Sequence, residues 1–216
     1  MRCLCLCACL WLTISCRQKT MNAQSLLPAH SKPVVVKLTD SLGTVSLYIP
    51  KRYDTSYSWI YESDCKICGF FQYRFQPHSY EKEHESWGPR PFILYDRLTI
   101  RHSKDLTYAK GDTSSIRMIH NNQKEIIRLQ GQQNNVTIDS LCEINGRYFA
   151  LMATTIKLQN QGKNLYIKTI EAVTTVKGIG LEFKYEILVP VNDSIYQHFI
   201  PNSLALLQTI HIEKGY

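Results

Sequence analysis

The sequence lacks the short motifs that identify common enzyme classes. It contains no G-x-S-x-G nucleophile elbow, no P-loop, no dinucleotide fingerprint and no H-E-x-x-H zinc helix. Serines and histidines are present, but no spacing joins them into a nucleophile and its base. We therefore assign no catalytic residue and expect a protein without enzymatic activity.

A hydrophobic run long enough to cross a membrane is missing as well. The apolar start, residues 3–15, is uncharged but shorter than the roughly 20 apolar residues that span a bilayer. It follows Arg2 and stops abruptly before RQKT, and its length is typical of a signal-peptide core of about 7–15 residues. An ordinary secretory signal, cleaved near residues 22–25, is one interpretation. A lipoprotein signal is the interpretation we favour, because the run ends on a small residue and a cysteine.

The segment LTISC, residues 12–16, resembles the lipobox of bacterial lipoproteins. In that family the cysteine sulfur receives a diacylglycerol, and cleavage makes the cysteine the new N-terminus. The resemblance implies a signal peptide over residues 1–15, lipidation of Cys16 and a tether over residues 16–32. It also implies a place in the bacterial cell envelope, since two or three acyl chains hold a protein stably on a membrane.

Few cysteines are left for the folded part of the chain. Of the eight cysteines, four precede Cys16, so that only Cys65, Cys68 and Cys142 remain. An exported chain meets an oxidising compartment, and a local disulfide between Cys65 and Cys68 is the interpretation we favour. Cys142 lies in a strand pattern and is expected to be a small buried residue.

The C-x-x-C spacing of Cys65 and Cys68 also admits two chemical alternatives. A redox dithiol needs its first thiol at a helix N-terminus, but here an aromatic strand pattern follows. A zinc site needs two further ligands, for which His78 and His84 are candidates. We predict no cofactor and keep zinc as the alternative.

Positive charge is in modest excess and is spread along the chain. The net charge is +7, without a run of five or more basic residues. Such scattered charge is usually solvated surface, and no nucleic-acid module is recognisable. We predict no nucleic-acid partner. The predicted partners are the membrane, through the lipid anchor, and another protein.

One aromatic residue is a candidate ligand contact. Trp87 stands in SWGPRP, within a polar segment over residues 79–91 that predicts a loop. Loop aromatics can serve as stacking platforms for ligands. Packing of Trp87 back onto the core is the alternative.

Period-two alternation predicts several strands in the first half of the chain. PVVVKLTD, TVSLYIP, YSWIYESD and FILYDRLTIRH are candidates, and the Pro of the second ends it. GFFQYRFQP, residues 69–77, alternates aromatic residues with Gln and Arg. It predicts a half-buried strand with its aromatic side chains inside.

The most regular strand patterns lie between residues 135 and 190. Asn145 and Gly146 separate two of them and favour the type I′ turn that matches strand twist. NQGKN and KGIG separate the next two pairs. We predict four consecutive antiparallel strands.

Two segments have helical spacing. TSSIRMIHNNQKEIIRLQG has a Ser cap, five apolar residues that can share a broad face, a candidate break at Asn121–Asn122, and Gly131 as its stop. NDSIYQHFIPNSLALLQTIHIE has an Asp or Ser cap, and Pro201 suits the first turn of a second helical piece.

This element order predicts a single α+β domain over residues 33–216, with a largely antiparallel sheet and helices packed against it. Through GTVSLYIPKRYD, the INGRY hairpin and FIPNSLALLQTIHI, the chain resembles the Mog1/PsbP-like fold, an αβα sandwich. The resemblance covers residues 33–212, and the segment with Cys65, Cys68 and SWGPRP departs from it. It implies a binding or assembly module and transfers no site residue.

The predicted function is therefore that of a cell-envelope lipoprotein that acts as a non-enzymatic binding or assembly module. Two alternatives stay open. One is a small zinc- or thiol-dependent enzyme that uses Cys65 and Cys68. The other is a ligand-binding module with an aromatic surface.

Overall fold

A computed structural model describes residues 28–39, 41–62, 69–82, 93–107, 113–129, 131, 135–160, 163–190 and 192–215. Within these ranges it has ten strands and two helices. The strands are β1 Ser31–Lys37, β2 Gly43–Pro50, β3 Thr55–Tyr61, β4 Phe70–Gln76, β5 Tyr95–Thr107, β6 Val136–Ile144, β7 Arg147–Asn160, β8 Lys163–Val176, β9 Ile179–Pro190 and β10 His211–Lys214. The helices are α1 Thr113–Leu129 and α2 Ser194–Leu207.

The strands of the described chain form two antiparallel sheets. One has the order β1-β2-β10, and the other has the order β3-β4-β5-β9-β8-β7-β6. The predicted α+β class, with helices packed on a largely antiparallel sheet, is confirmed. The four consecutive strands β6 to β9 are confirmed as well. β1 begins at Ser31, two residues before the predicted start of the domain, because Ser31 still pairs with Pro50.

Two-residue turns close the hairpins β6–β7 and β8–β9. Asn145 and Gly146 have φ values of 48° and 77°, and Lys177 and Gly178 have values of 52° and 81°. Positive φ at both central residues is the signature of the type I′ turn, whose twist matches that of the strands. These turns set the register of the long strands on which the candidate site is built.

One face of the seven-stranded sheet, here called the core face, shares the main hydrophobic core with the three-stranded sheet and α2. Alternate residues of β9, such as Phe183 and Ile187, meet Val45 and Ile49 of β2 in this core. β10 pairs with β2 and places Ile212 against the same core.

Helix α2 is continuous, so the predicted second helical piece at Pro201 is wrong. Asp193 caps the helix by accepting a hydrogen bond from the backbone N–H of Ile195 at 2.8 Å. Pro201 lies inside the helix and withholds a hydrogen bond from the carbonyl of Gln197. Gln197 is exposed, so water can satisfy that carbonyl.

The opposite face of the seven-stranded sheet, here called the α1 face, is rich in polar groups. Gln72, Arg74 and Gln76 of β4 are buried there, whereas the aromatic residues of β4 are only half-buried. The aromatic residues lie on the core face, where Tyr73 and Phe75 pack against the main core, so the predicted half-buried strand with its aromatic side inside is confirmed. The burial of its polar side was not predicted. Arg74 is satisfied in place, since its Nε donates to Thr99 Oγ1 at 3.2 Å and its guanidinium lies over the Trp59 ring at 4.7 Å.

Helix α1 packs on the α1 face with only its first half. Ile116 and Ile119 are buried against Ala150 and Val173. The candidate break at Asn121–Asn122 is absent, because both side chains are exposed and leave the helical hydrogen bonds undisturbed. Only the first half of the predicted apolar face of α1 is buried against the sheet. Ile126 is 54% exposed and stands over a cavity.

Candidate ligand-binding site

A cavity of about 690 Å³ lies between the second half of α1 and the α1 face of the sheet. Small-molecule sites typically enclose about 300–1,000 Å³, with apolar walls and a few polar groups. The cavity exists because α1 contacts β7 and β8, while β5 and β9 continue the floor beyond it. Its lining has an apolar part and a charged part.

The apolar part of the cavity wall comes from α1 and β7. Ile119, Ile126 and Ile127 line it from α1, and Met152 and Ile156 line it from β7. Helical spacing of seven and eight residues returns the isoleucines to one side of α1, and the even spacing puts both β7 residues on one face. An apolar ligand could bury surface against all five side chains.

The charged part of the cavity wall comes from β5, β8 and β9. Glu171 of β8, Glu182 and Lys184 of β9, and Arg101 of β5 line it. Strand register brings them together, because Glu171 is paired with Lys184 and Glu182 with Arg101. Residues directly opposite each other on one face of an antiparallel pair have Cβ atoms about 4.5–5.5 Å apart.

Glu182 is the most perturbed acid in this group. Its side chain is 10% exposed, and its Oε2 accepts a hydrogen bond from Arg101 Nε at 2.6 Å. Burial, reinforced by the charge of Glu171, raises the pKa of Glu182 to about 7 against the opposing effect of Arg101 and Lys184. Perturbed acids in cavities often mark functional sites.

Lys184 is engaged with another carboxylate. Its Nζ lies 3.1 Å from Glu186 Oε2, and Arg97 Nε donates to the other oxygen of Glu186. The charge of Glu186 raises the pKa of Lys184 despite burial. Burial also acts to raise the pKa of Glu186, but Lys184 and Arg97 outweigh it and lower that pKa to about 2. Glu186 is thus ionised between two cations.

Gln123 links helix α1 to the charged floor. Its Nε2 donates to Glu171 Oε1 at 2.7 Å. Its Oε1 is buried and has no hydrogen-bond partner among the residues that the structure describes. The cavity is therefore lined by Gln123, Glu171 and Glu182 next to an apolar group of side chains.

No family model matches the chain, and no curated protein matches it either. Three solved structures share a weak likeness. A protein from Bacteroides thetaiotaomicron VPI-5482 is 13% identical, with 79% of this chain aligned to 45% of that protein and a TM-score of 0.39. CyanoP, the cyanobacterial PsbP of Synechocystis sp. PCC 6803, is 11% identical over 86% of this chain and 95% of its own, with a TM-score of 0.38.

The third is LpqN of Mycobacterium tuberculosis, described as involved in cell-envelope biogenesis. It is 11% identical over 90% of this chain and 98% of its own, with a TM-score of 0.36. One of the three is thus a PsbP, the group to which the sequence resemblance pointed. At these scores the likeness decides neither family nor function, and membership of the Mog1/PsbP-like group stays a prediction.

Most of the residues that we singled out from the sequence lie outside the described residues. These are Cys16, Cys65, Cys68, His84 and Trp87. Their predicted lipid, disulfide, zinc and ligand contacts therefore stay predictions.

Two predicted residues can be located. His78 lies in an exposed turn, where its Nδ1 is 2.6 Å from Asp54 Oδ2 and its backbone N–H donates to Asp54 Oδ1 at 2.7 Å. In the described part of the chain, no three His, Cys, Asp or Glu side chains converge as metal ligands do. Cys142 is a half-buried free thiol packed against the main core, and burial raises its pKa.

The residues of the cavity were missed by sequence reasoning. Their signal is the charge at alternate positions of β9, where Glu182, Lys184 and Glu186 interrupt an otherwise apolar strand. Alternation of this kind normally indicates a solvated face. Only the position of α1 turns this face into the floor of a cavity. Both described helices are too short or too polar to span a membrane.

Proposed function

We propose that the chain is a binding module that holds an amphiphilic small molecule in the cavity beneath α1. The observation that carries this proposal is that one cavity of about 690 Å³ is lined by an apolar group of side chains from α1 and β7 and by a charged group from β5, β8 and β9. A ligand with an apolar body and a polar head satisfies both groups at once. A purely polar ligand would leave Ile126 and Ile127 in water, and a purely apolar ligand would cover buried charges without replacing their hydration.

We propose further that the module sits in the cell envelope, held on a membrane by lipid at Cys16. Support comes from the lipobox-like segment at residues 12–16. Amphiphilic molecules gather at membranes. A binding module that is anchored to a membrane would therefore lie close to the kind of ligand proposed for the cavity.

The lipid anchor is testable in the native host or a bacterial expression host. We expect Cys16→Ala to abolish labelling of the protein with a radioactive or clickable fatty acid and to move it from the membrane fraction to the soluble fraction. Cys142→Ala is the matched control, since it also removes one thiol. Equal labelling of the Cys16→Ala variant would contradict the anchor.

Ligand binding is testable with an apolar dye such as N-phenyl-1-naphthylamine, whose fluorescence rises in an apolar site. We expect Ile126→Gln to weaken dye binding about tenfold, because replacing one buried aliphatic side chain removes roughly 1.4 kcal/mol of contact free energy. Ile126 is 54% exposed without ligand, so this change should leave the fold intact.

Leu129→Gln is the matched control for the dye experiment. Leu129 lies on the same helix and is 70% exposed, but it does not line the cavity. We expect this variant to bind the dye like the wild type. Absence of dye binding, or equal losses in the two variants, would rule out the cavity as the binding site.

A further inference from the structure

We propose that the cavity selects ligands that carry a primary ammonium group, held by Glu171, Glu182 and the side-chain oxygen of Gln123. This inference rests on the proposed function, since it names the polar head of the amphiphile. Three features of the described residues support it. Glu171 has no ion-pair partner, the side-chain oxygen of Gln123 accepts no hydrogen bond, and the basic residues of the cavity already pair with other carboxylates.

The carboxylate without a cation is Glu171. Among the described residues its hydrogen-bond partner is the neutral amide of Gln123, and no ion pair joins it to a lysine or arginine there. Lys184 is opposite Glu171 in the strand register, but its Nζ is directed to Glu186. A ligand cation would supply the charge that Glu171 lacks.

The acceptor without a donor is Gln123 Oε1. The contact of the Gln123 amide with a carboxylate fixes its orientation, because only the NH₂ end can donate to Glu171. The oxygen is consequently left buried and without a partner in the described part of the chain. A buried acceptor without a hydrogen-bond donor costs free energy. A ligand N–H that donates to this oxygen would remove that cost.

The basic residues that line the cavity already form ion pairs with carboxylates of the protein. Arg101 donates to Glu182 at 2.6 Å, and Lys184 contacts Glu186 at 3.1 Å. An anionic head would have to compete with these pairs and would face Glu171 directly. Burial, reinforced by the charge of Glu171, raises the pKa of Glu182 to about 7, and a ligand cation beside Glu182 would favour its ionised form.

A primary ammonium group matches this environment. It carries one positive charge and three N–H donors and has no acceptor, so it can serve Glu171, Glu182 and Gln123 together. A quaternary ammonium has the charge but no donor, and an alcohol has a donor but no charge. These differences allow a matched series of ligands to separate charge from hydrogen bonding.

The test uses four ligands with the same ten-carbon chain: decylamine, decyltrimethylammonium, decanol and decanoate. Calorimetric titration of the full chain at about pH 8 keeps the amine protonated and Glu182 largely ionised. We expect decylamine to bind at least about tenfold more tightly than decanol, with the trimethyl compound between them and decanoate weakest.

Glu171→Gln is the decisive variant, because it removes the charge and keeps the shape. We expect it to bring decylamine to within about threefold of decanol while leaving decanol binding unchanged. Glu125→Gln is the matched control, since Glu125 lies on α1, pairs with Arg128 and does not line the cavity. It should keep the wild-type preference.

Each outcome separates this inference from the proposed function. Equal binding of all four ligands, or tightest binding of decanoate, overturns the ammonium preference and leaves the amphiphile site standing. Lack of binding by every ligand, together with lack of dye binding, overturns both. Two further arms identify the source of the ammonium: lysophosphatidylethanolamine against lysophosphatidylcholine tests a lipid head group, and decylamine tests a free amine.

Discussion

Glu186→Gln is expected to lower the free energy of unfolding by about 3–5 kcal/mol at neutral pH, the range for breaking a buried ion pair from one side. The Glu186 side chain is 8% exposed and lies between Arg97 and Lys184. The substitution removes the anion and leaves both cations on a largely covered face of the sheet. Arg97, only 13% exposed, has the least access to water and accounts for most of the expected loss.

The effect of Glu186 should depend on pH with a defined sign. Its pKa is about 2 in the folded protein, against an ordinary value of 4.5. Between these values the unfolded chain binds more protons than the folded one, so the stabilisation by Glu186 is complete above about pH 4.5 and is lost as the pH falls toward 2. The difference between wild type and Glu186→Gln should therefore shrink across this window.

Urea unfolding at about pH 7 and about pH 3 measures both statements. Glu213→Gln is the control, because Glu213 is exposed at the end of the smaller sheet and contacts only the exposed His211 at 3.8 Å. We expect this control to change stability by less than about 0.5 kcal/mol. An unchanged urea midpoint for Glu186→Gln at neutral pH would show that the ion pairs of Glu186 with Arg97 and Lys184 do not stabilise the fold.

Features of the fold that depend on local chemistry could be predicted from the sequence. The Asn145–Gly146 turn, the Asp193 cap and the alternation of β2 are each decided by a few neighbouring residues. Local pattern failed at Pro201 and at Asn121–Asn122, where residues that disfavour helices are tolerated because the groups they disturb face water. Packing along the rest of α2 and the start of α1 outweighs these local preferences.

Features that depend on contacts between distant residues could not be predicted. β10 forms because His211–Lys214 finds the free edge of β2, more than 160 residues earlier in the chain. The polar side of β4 is buried, and Arg74 is held there by contacts with Thr99 of β5 and Trp59 of β3. Periodicity tells which residues share a face, but it does not tell what will cover that face.

The candidate site belongs to this second class. The charges of β9 predict a solvated face by themselves, and the isoleucines of α1 predict a buried one. Neither pattern reveals that the second half of α1 lies over Glu171 and Glu182 with a space between them. The unpaired oxygen of Gln123 is likewise visible only once its amide is seen to donate to Glu171.

Glu182→Gln is expected to act in the opposite direction to Glu186→Gln, although the two glutamates are four residues apart on one face of β9. We expect it to raise the free energy of unfolding by about 1–3 kcal/mol at about pH 8, since one unit of pKa corresponds to about 1.4 kcal/mol. The pKa of Glu182 is about 7 in the folded protein, against 4.5 ordinarily. Between these values the folded state binds more protons, so wild-type stability falls as the pH rises.

Below about pH 4.5 Glu182 is protonated in both states, and the variant should then match the wild type. Urea unfolding at about pH 8, 6 and 4 measures this convergence. Glu143→Gln, an exposed position on β6 of the same sheet, should show no such trend. Loss of stability in Glu182→Gln at about pH 8 would mean that the bond with Arg101 outweighs the burial of the carboxylate.

The same substitution should weaken decylamine binding at about pH 8 and remove its pH dependence. In the wild type, amine binding should strengthen as the pH rises through about 7, because Glu182 gains its charge while the amine keeps its own. Lys184, Arg101 and Glu171 act on this carboxylate from β9, β5 and β8. If Glu182→Gln stabilises the fold and weakens decylamine binding, Glu182 serves recognition at the expense of stability. If Glu182 served only in a structural ion pair with Arg101, the variant would be less stable and would bind decylamine unchanged.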